Sequence, residues 1–489
     1  MASWRRWREA KMTTKSMGAA LLAGGLAALG MVVFWGFTVD DALVTARVAR
    51  HIALGLGHRF NRGGLVVDAV TPLGWEYLLS LGAHFGIGAA FESARVAGGL
   101  AWLFSASWLG LVLYRRKAPL WPLGLLALSA PIGAWACAGM ETGVILALTT
   151  LTVVTTAPYS IAAASVVSAV RPELLPFCSV IALGIASRGR GWPDLLRRVG
   201  PVWLLFGLVT AVRWLAFGSP APLALFAKPS DLHHGVLYAW AGLLQTGVVF
   251  LWLGPGWGRL GQESRWLATA VLAHFVGVVL VGGDWMPMYR LLVPVLPAMV
   301  VVAADLAAAA HTRWRLLSAL AAVLANLHLA IGWGLVGRHV VAQRGALIEA
   351  ARPPLEGSRV VAALDIGWVG AATSADLLDL AGITDPAVAY LPGGHTSKRI
   401  DRALIRSSRV DGLVFLLAPG AKVAIPWWQS RFARTVERRV AWLMRDRGCH
   451  LVALLPLEYT QQSYGVFRCA REPSDERKAY LTARTLRNL

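Results

Sequence analysis

The chain has 489 residues, of which 56% are hydrophobic and only 15% charged, with 22 tryptophans; this composition fits a polytopic membrane protein and excludes an ordinary soluble domain. Its 47 basic and 27 acidic residues leave a formal charge of +20, yet the Arg and Lys fall largely in short loops between apolar runs, where they set topology rather than bind nucleic acid. Four cysteines are too few for a disulfide scaffold; Cys137 and Cys178 sit in apolar segments, which leaves Cys449 and Cys469 as the pair able to join.

Arg5, Arg6, Arg8, Lys11 and Lys15 precede the apolar run 18–37. That run is too long for a signal-peptide core and no small-residue cleavage site follows it, so an uncleaved first span is expected. Just beyond it stands Asp40-Asp41, opening a polar stretch that ends at Arg47. The pair has two readings. Asp favours a helix N-cap and first turn, whereas an ionisable pair at the mouth of a membrane helix is costly and marks function.

Further spans are expected near 94–114, 120–137, 140–157, 200–217, 236–254, 266–283, 290–310 and 316–336. Two shorter runs, 159–170 and 173–187, meet at Arg171-Pro172-Glu173, and such a polar break is tolerated in a membrane only where it lines a cavity. The segment 73–90 decides the topology. Read as a helix lying at the interface, it puts Arg115-Arg116-Lys117 on the cytoplasmic side with the N-terminus, along with Arg188, Arg190, Arg197, Arg198, Arg259, Arg265, Arg313 and Arg315.

The expected fold class is therefore a polytopic α-helical membrane protein of about eleven spans, with an external α/β domain at its C-terminus. Residues 1–337 form the membrane part, with a large first external loop at 38–93, and residues 338–489 the outer domain. In that outer part Arg359-Val-Val-Ala-Ala-Leu-Asp365, Gly412-Leu-Val-Phe-Leu-Leu417 and Leu451-Val-Ala-Leu-Leu455 have the length and composition of strands. A basic helix is expected from Trp427-Trp428 to Arg447, either resting on headgroups or covering the sheet.

This topology gathers the polar clusters on one face: Asp40-Asp41, Glu141 in Gly139-Met140-Glu141-Thr142, Arg171-Pro172-Glu173, Lys228, and Asp284-Trp285 through Tyr289-Arg290. Each has a bland reading beside a chemical one. Glu141 suits a first helical turn; Arg171 and Glu173 suit an internal pair; Lys228 and Arg290 suit headgroup anchors; Trp285 suits the interface; and His395 suits a solvated loop. A transporter would instead show polar groups at mid-membrane and symmetric halves, and no internal repeat is present.

Asp40-Asp41 with Arg47-Val-Ala-Arg50, then Gly55-Leu-Gly57-His58-Arg-Phe60-Asn61 and Thr71-Pro72-Leu73-Gly-Trp75, resembles the first external loop of GT-C membrane glycosyltransferases, in particular the cell-wall arabinofuranosyltransferase branch. The resemblance continues through Gly139-Met140-Glu141-Thr142, Arg171-Pro172-Glu173, Gly282-Gly283-Asp284-Trp285-Met286, Tyr289-Arg290 and Asp379-Leu-Ala-Gly382-Ile-Thr384-Asp385-Pro386. It departs from the branch where Gly57-His58 inverts the usual order and Val48 replaces an aromatic residue.

The resemblance implies an enzyme of the cytoplasmic (inner) membrane whose active site and C-terminal domain are extracytoplasmic. Such an enzyme moves a sugar, arabinofuranose in that branch, from a polyprenyl-phosphate donor to a cell-envelope glycan or lipid acceptor. Asp40 or Asp41 is then the base. Lys228, Arg290 and Arg171 take the donor phosphate, and Glu141, Asp284, Trp285, Tyr289 and His395 take sugar or acceptor. No cofactor is firmly implied, although Asp40 and Asp41 have the oxygens to hold a divalent cation. A transporter or a non-catalytic binder of lipid-linked glycan is the alternative.

Overall fold

The computed structural model describes residues 13–189, 191–252, 257–309 and 312–470. Arg5, Arg6, Arg8, Lys11 and Arg190 lie outside the described residues, as do positions 471–489 of the expected outer domain.

Among the described residues five helices are long and apolar enough to cross a membrane: Thr14–Val33, Ile87–Arg115, Gly191–Phe217, Gln262–Leu280 and Arg313–Gly332. The first is started by a reciprocal cap in which Thr13 Oγ accepts from Ser16 N (3.2 Å) and Ser16 Oγ accepts from Thr13 N (2.9 Å). Its small face, Ala19, Ala23 and Ala27, lets the backbone approach Ile87–Arg115 so closely that a Cβ at Gly110 would run into Ala19 and Ala23.

The other expected spans are shorter or broken. Thr142–Val154, Ala157–Val170, Pro172–Ala186 and Val293–Ala308 are apolar helices of ten to seventeen residues. The expected span 120–137 is divided into a 3₁₀ turn, Trp121–Leu123, and the helices Gly124–Leu128 and Ala130–Ala136. The cause is local: Ser129 takes an extended conformation, its hydroxyl accepts from Ile132 N (3.4 Å), and a proline follows in the first turn. The segment 73–90 holds the nine-residue helix Trp75–Ala83, about 13 Å long at 1.5 Å per residue and too short to span.

Beyond the bundle, five strands among the described residues form one sheet in the order β2-β1-β3-β5-β4. These are β1 Val360–Ala363, β2 Asp376–Asp379, β3 Gly412–Leu417, β4 His450–Pro456 and β5 Ser463–Arg468. β1 pairs in parallel with β2 and β3, and β5 runs antiparallel to β3 and β4. All six residues of the central β3 are buried, which explains its unbroken apolar run. A disulfide between Cys449 and Cys469 closes the open end of the β4–β5 hairpin.

The expected basic helix from Trp427 to Arg447 is much shorter in the structure. Trp427–Gln429 is a 3₁₀ turn, Phe432 bridges back to Leu417, and only Thr435–Leu443 is helical. Pro426 and the Ser430 turn stop the helix from starting earlier. Val436, Val440 and Ala441 face the sheet and are buried while Trp442 is exposed, so this helix covers the sheet.

The sheet domain is locked to the bundle by the helix Asp40–Ala53 and the loop after it. The buried Arg47 donates to the carbonyls of Phe60 (3.0 Å), Gly370 (2.5 Å), Thr373 (3.1 Å) and Ala375 (2.9 Å). Asn61 exchanges two bonds with the backbone of Leu377, each 2.8 Å. A Cβ at Gly370 would come within 2.9 Å of the Arg47 guanidinium, so the missing side chain makes room for the clamp.

Candidate active site

Three helix interruptions come together beneath the sheet domain, each at a residue whose backbone cannot continue a helix. Gly139 (φ +83°) interrupts the chain before Glu141, and Arg171 (φ −128°) does so before Pro172. The third is the loop between Gln262–Leu280 and the 3₁₀ turn Val293–Val295. It is bent by Gly282 (φ +86°) and Gly283 (φ +71°) and, at real cost for residues with side chains, by Met288 (φ +58°) and Tyr289 (φ +51°).

That strained loop is held from several sides. Trp135 Nε1 donates to the carbonyls of Pro287 and Met288, both at 3.2 Å. Tyr238 Oη accepts from Leu291 N (3.1 Å). The His274 ring lies 3.1 Å from the Glu173 carbonyl and 2.7 Å from the Leu291 carbonyl, and so ties the Arg171 break to the loop. Sequence reasoning missed these three residues, although an ionisable His within the expected span 266–283 was a signal for the last.

The charged residues are arranged around this frame. Arg290 Nε lies 2.8 Å from Asp284 Oδ2, and its guanidinium sits 5.8 Å from the Trp135 ring centre. Burial would raise the Asp284 carboxyl, but the charges of Arg290, Lys228 and Arg171 outweigh it and hold the group below the usual carboxylate range. Asp284 Oδ1 also accepts from Trp285 N (2.8 Å), so this carboxylate fixes the loop and orients Arg290.

Arg171 donates through Nη1 to Glu141 (2.6 Å) and through Nε to Glu173 (2.6 Å), with its side chain only 5% exposed. Both carboxylates are therefore its partners. Glu141, Arg171 and Glu173 thus form an ion-paired brace across the break, the internal pairing also open to Arg171 and Glu173 in the sequence.

The rest of the layer is more open. Lys228 Nζ lies 3.9 Å from Asp41 Oδ2, and these side chains are 21% and 29% exposed. Trp285, well exposed, stacks on His234 at 4.2 Å and meets the His395 ring at 5.4 Å. His395 thus reaches down from the sheet domain. Burial, then the positive charge of Lys228, push it from 6.5 to about 4, so it is neutral at physiological pH. Tyr289 packs edge-on against Tyr238 at 5.5 Å.

Asp40 and Asp41 have separated. Asp40 accepts from Gly367 N (2.6 Å) and Trp368 N (3.0 Å), the first turn of the helix Ile366–Ala372, while Arg47 seven residues later takes carbonyls at its other end. Burial, with help from the negative Asp365, pushes Asp40 up to about 7 against the charge of Arg344 and the two N–H donors. A value near 7 would suit a base. Its oxygens, however, are committed to the sheet domain. The two carboxylates have different partners. Among the described residues no group of three or more His, Cys, Asp or Glu converges as a metal site.

No family model matches the chain. A curated protein, the terminal beta-(1->2)-arabinofuranosyltransferase of Corynebacterium glutamicum, is 28% identical over 408 residues, which covers 67% of this chain and 59% of that protein. The chain thus spans about three-fifths of the length of this relative, and the resemblance to the arabinofuranosyltransferase branch is borne out by it. Among solved structures, ArnT from Cupriavidus metallidurans bound to undecaprenyl phosphate has 12% identity and a TM-score of 0.49, with 92% of this chain and 98% of that one covered. The arabinofuranosyltransferase AftD from Mycobacteria has 14% identity and a TM-score of 0.43, with 95% of this chain and 40% of that one covered.

Proposed function

We propose that this protein is an integral membrane glycosyltransferase that transfers a sugar, arabinofuranose by its sequence relationship, from a polyprenyl-phosphate donor to a hydroxyl of a cell-envelope glycan or glycolipid. The N-terminus is cytoplasmic, and the Asp41 layer and sheet domain are extracytoplasmic. The disulfide Cys449–Cys469 supports that side, because disulfides persist in oxidising compartments.

Asp41 is the base. It takes the proton of the acceptor hydroxyl as the oxygen attacks the anomeric carbon; the bond from that carbon to the phosphate oxygen breaks, and polyprenyl phosphate leaves. Lys228 and the η nitrogens of Arg290 bind the phosphate and stabilise the charge that develops on it. Asp284 positions Arg290, and Trp285, Tyr289 and His395 line the place of the sugar and acceptor.

The observation that carries this reading is the state of Asp41. Among the described residues its carboxylate makes no hydrogen bond and has a lysine 3.9 Å away, whereas Asp40, Glu141, Glu173 and Asp284 are each engaged. The test is transfer of labelled sugar from polyprenyl-phosphoryl arabinofuranose to an arabinan oligosaccharide by the full chain reconstituted in vesicles. Label in the oligosaccharide, lost in Asp41→Asn, is expected. Donor binding without transfer would make the protein a binder, and movement of intact donor between leaflets would make it a transporter.

A further inference from the structure

A second site lies at the other end of the bundle. Glu141 precedes the helix Thr142–Val154 and Arg171 follows Ala157–Val170, so the connection between Val154 and Ala157 is about 20 Å from the Asp41 layer, at 1.5 Å per residue over thirteen residues. There the helices enclose a cavity of about 540 Å³ whose wall includes Arg116, Arg188 and Arg198 with Asp194 and Glu263. Glu263 is shared between Arg188 (3.1 Å) and Arg116 (4.0 Å), and the half-buried Arg198 has no ion pair or hydrogen bond among the described residues. Three guanidiniums facing two carboxylates leave the cavity cationic.

The same cavity receives the start of Ala157–Val170, a fourteen-residue helix whose N-cap Thr156 makes no side-chain capping bond. Thr156 Oγ1 is itself buried without a partner. Unsatisfied donors at a helix N-terminus, next to guanidiniums, suit the oxygens of a phosphate group. A free phosphate would need nothing more.

The surroundings offer more. An apolar groove of about 1080 Å³ adjoins the cavity, shares Thr155 and Thr156 with it, and is lined by Phe104, Trp108, Leu148, Leu151, Tyr159 and Val166. Phe104 and Tyr159 are 62% and 70% exposed, so the groove opens outward, where acyl chains lie. An anionic head and an apolar tail joined at Thr155-Thr156 describe one ligand. We infer that this is a binding site for an anionic glycerophospholipid of the leaflet opposite the Asp41 layer, its phosphodiester in the cavity and an acyl chain in the groove. This lipid site is independent of the donor proposed for the Asp41 layer.

The experiment is thermal unfolding of the full chain in detergent, titrated separately with dioleoyl phosphatidylglycerol, dioleoyl phosphatidylcholine and inorganic phosphate. Phosphatidylglycerol is expected to raise Tm saturably by several degrees, while the other two leave it unchanged. The double variant Arg188→Gln with Arg198→Gln should weaken the apparent affinity by about tenfold or more. Ala162→Trp, on the exposed wall of the groove, should weaken it through the tail alone. Equal stabilisation by phosphatidylcholine, or by inorganic phosphate, would overturn the assignment, as would an unchanged affinity in the double variant. Should a variant fail to fold, native mass spectrometry of the wild-type protein in an equimolar mixture of the two lipids decides: selective retention of phosphatidylglycerol supports the site, and equal retention removes it.

Discussion

Two neighbouring stretches of one helix surface have opposite fates. The face of Asp40–Ala53 that carries Asp40 and Arg47 is welded to the sheet domain through backbone N–H groups at one end of Ile366–Ala372 and carbonyls at the other. Asp41, about 100° around the same helix, points instead to Lys228 and keeps its oxygens unbonded. Identical side chains one residue apart are thus a fastener and the base of the proposed transfer, and what separates them is the supply of donors. A carboxylate given two backbone N–H bonds is held; one with only an ammonium 3.9 Å away is not.

The contrast can be broken by exchanging the carboxylates one at a time. Asp41→Asn should lower transfer by about two orders of magnitude or more with unchanged Tm, because a base is lost and no structural bond with it. Asp40→Asn should keep transfer within about tenfold but destabilise the docked domain by roughly 1–3 kcal/mol, read from the melting curve. Near-normal transfer in Asp41→Asn, or an undisturbed melt in Asp40→Asn, would reverse the two assignments.

A smaller effect sharpens the open half. Arg290→Lys should raise the donor concentration needed for half-maximal transfer by about tenfold or more, since a point charge does not replace a planar fork on phosphate, with little change in acceptor dependence. Equal donor dependence at equal protein level would make Arg290 a support for the loop alone. In the fastened half, Gly367→Ala puts a methyl group into the Asp40 carbonyl and should cost on the order of 1–3 kcal/mol in stability, measurable by denaturant or heat.

The smallest expected effect is a pH slope. His395 is depressed from 6.5 to about 4 in the folded protein, so between those values the unfolded chain binds a proton that the folded one refuses. Stability from this group therefore falls as pH drops from 6.5 to 4, and is flat above and below that window. The Tm of His395→Gln should decline less steeply there than that of the wild-type protein; identical slopes would place the His395 ring in solvent.

Much of this architecture is local information. Apolar runs bounded by Arg and Lys mark the membrane part, because burying a charged group in hydrocarbon is expensive wherever the chain goes. β1, β3 and β4 announce themselves as short β-rich runs, and the breaks at Gly139, Arg171 and Gly282 follow from Gly, Pro and charge in the chain itself. Even the set of polar clusters that share one face follows from counting spans.

Which partner each group receives is decided only in three dimensions. Arg171 is consumed by Glu141, thirty residues away, and by Glu173; Asp40 is consumed by Gly367 and Trp368, more than three hundred residues away. β2 and β5 are too mixed in composition to be read alone, and β1 and β3 offer them ladders. His234 and His274 gain their places from Trp285 and Leu291. A sequence states how many charges must be satisfied, since that cost attaches to each residue. Only the folded chain states by whom, since hydrogen bonds and ion pairs act over a few ångströms regardless of the separation along the chain.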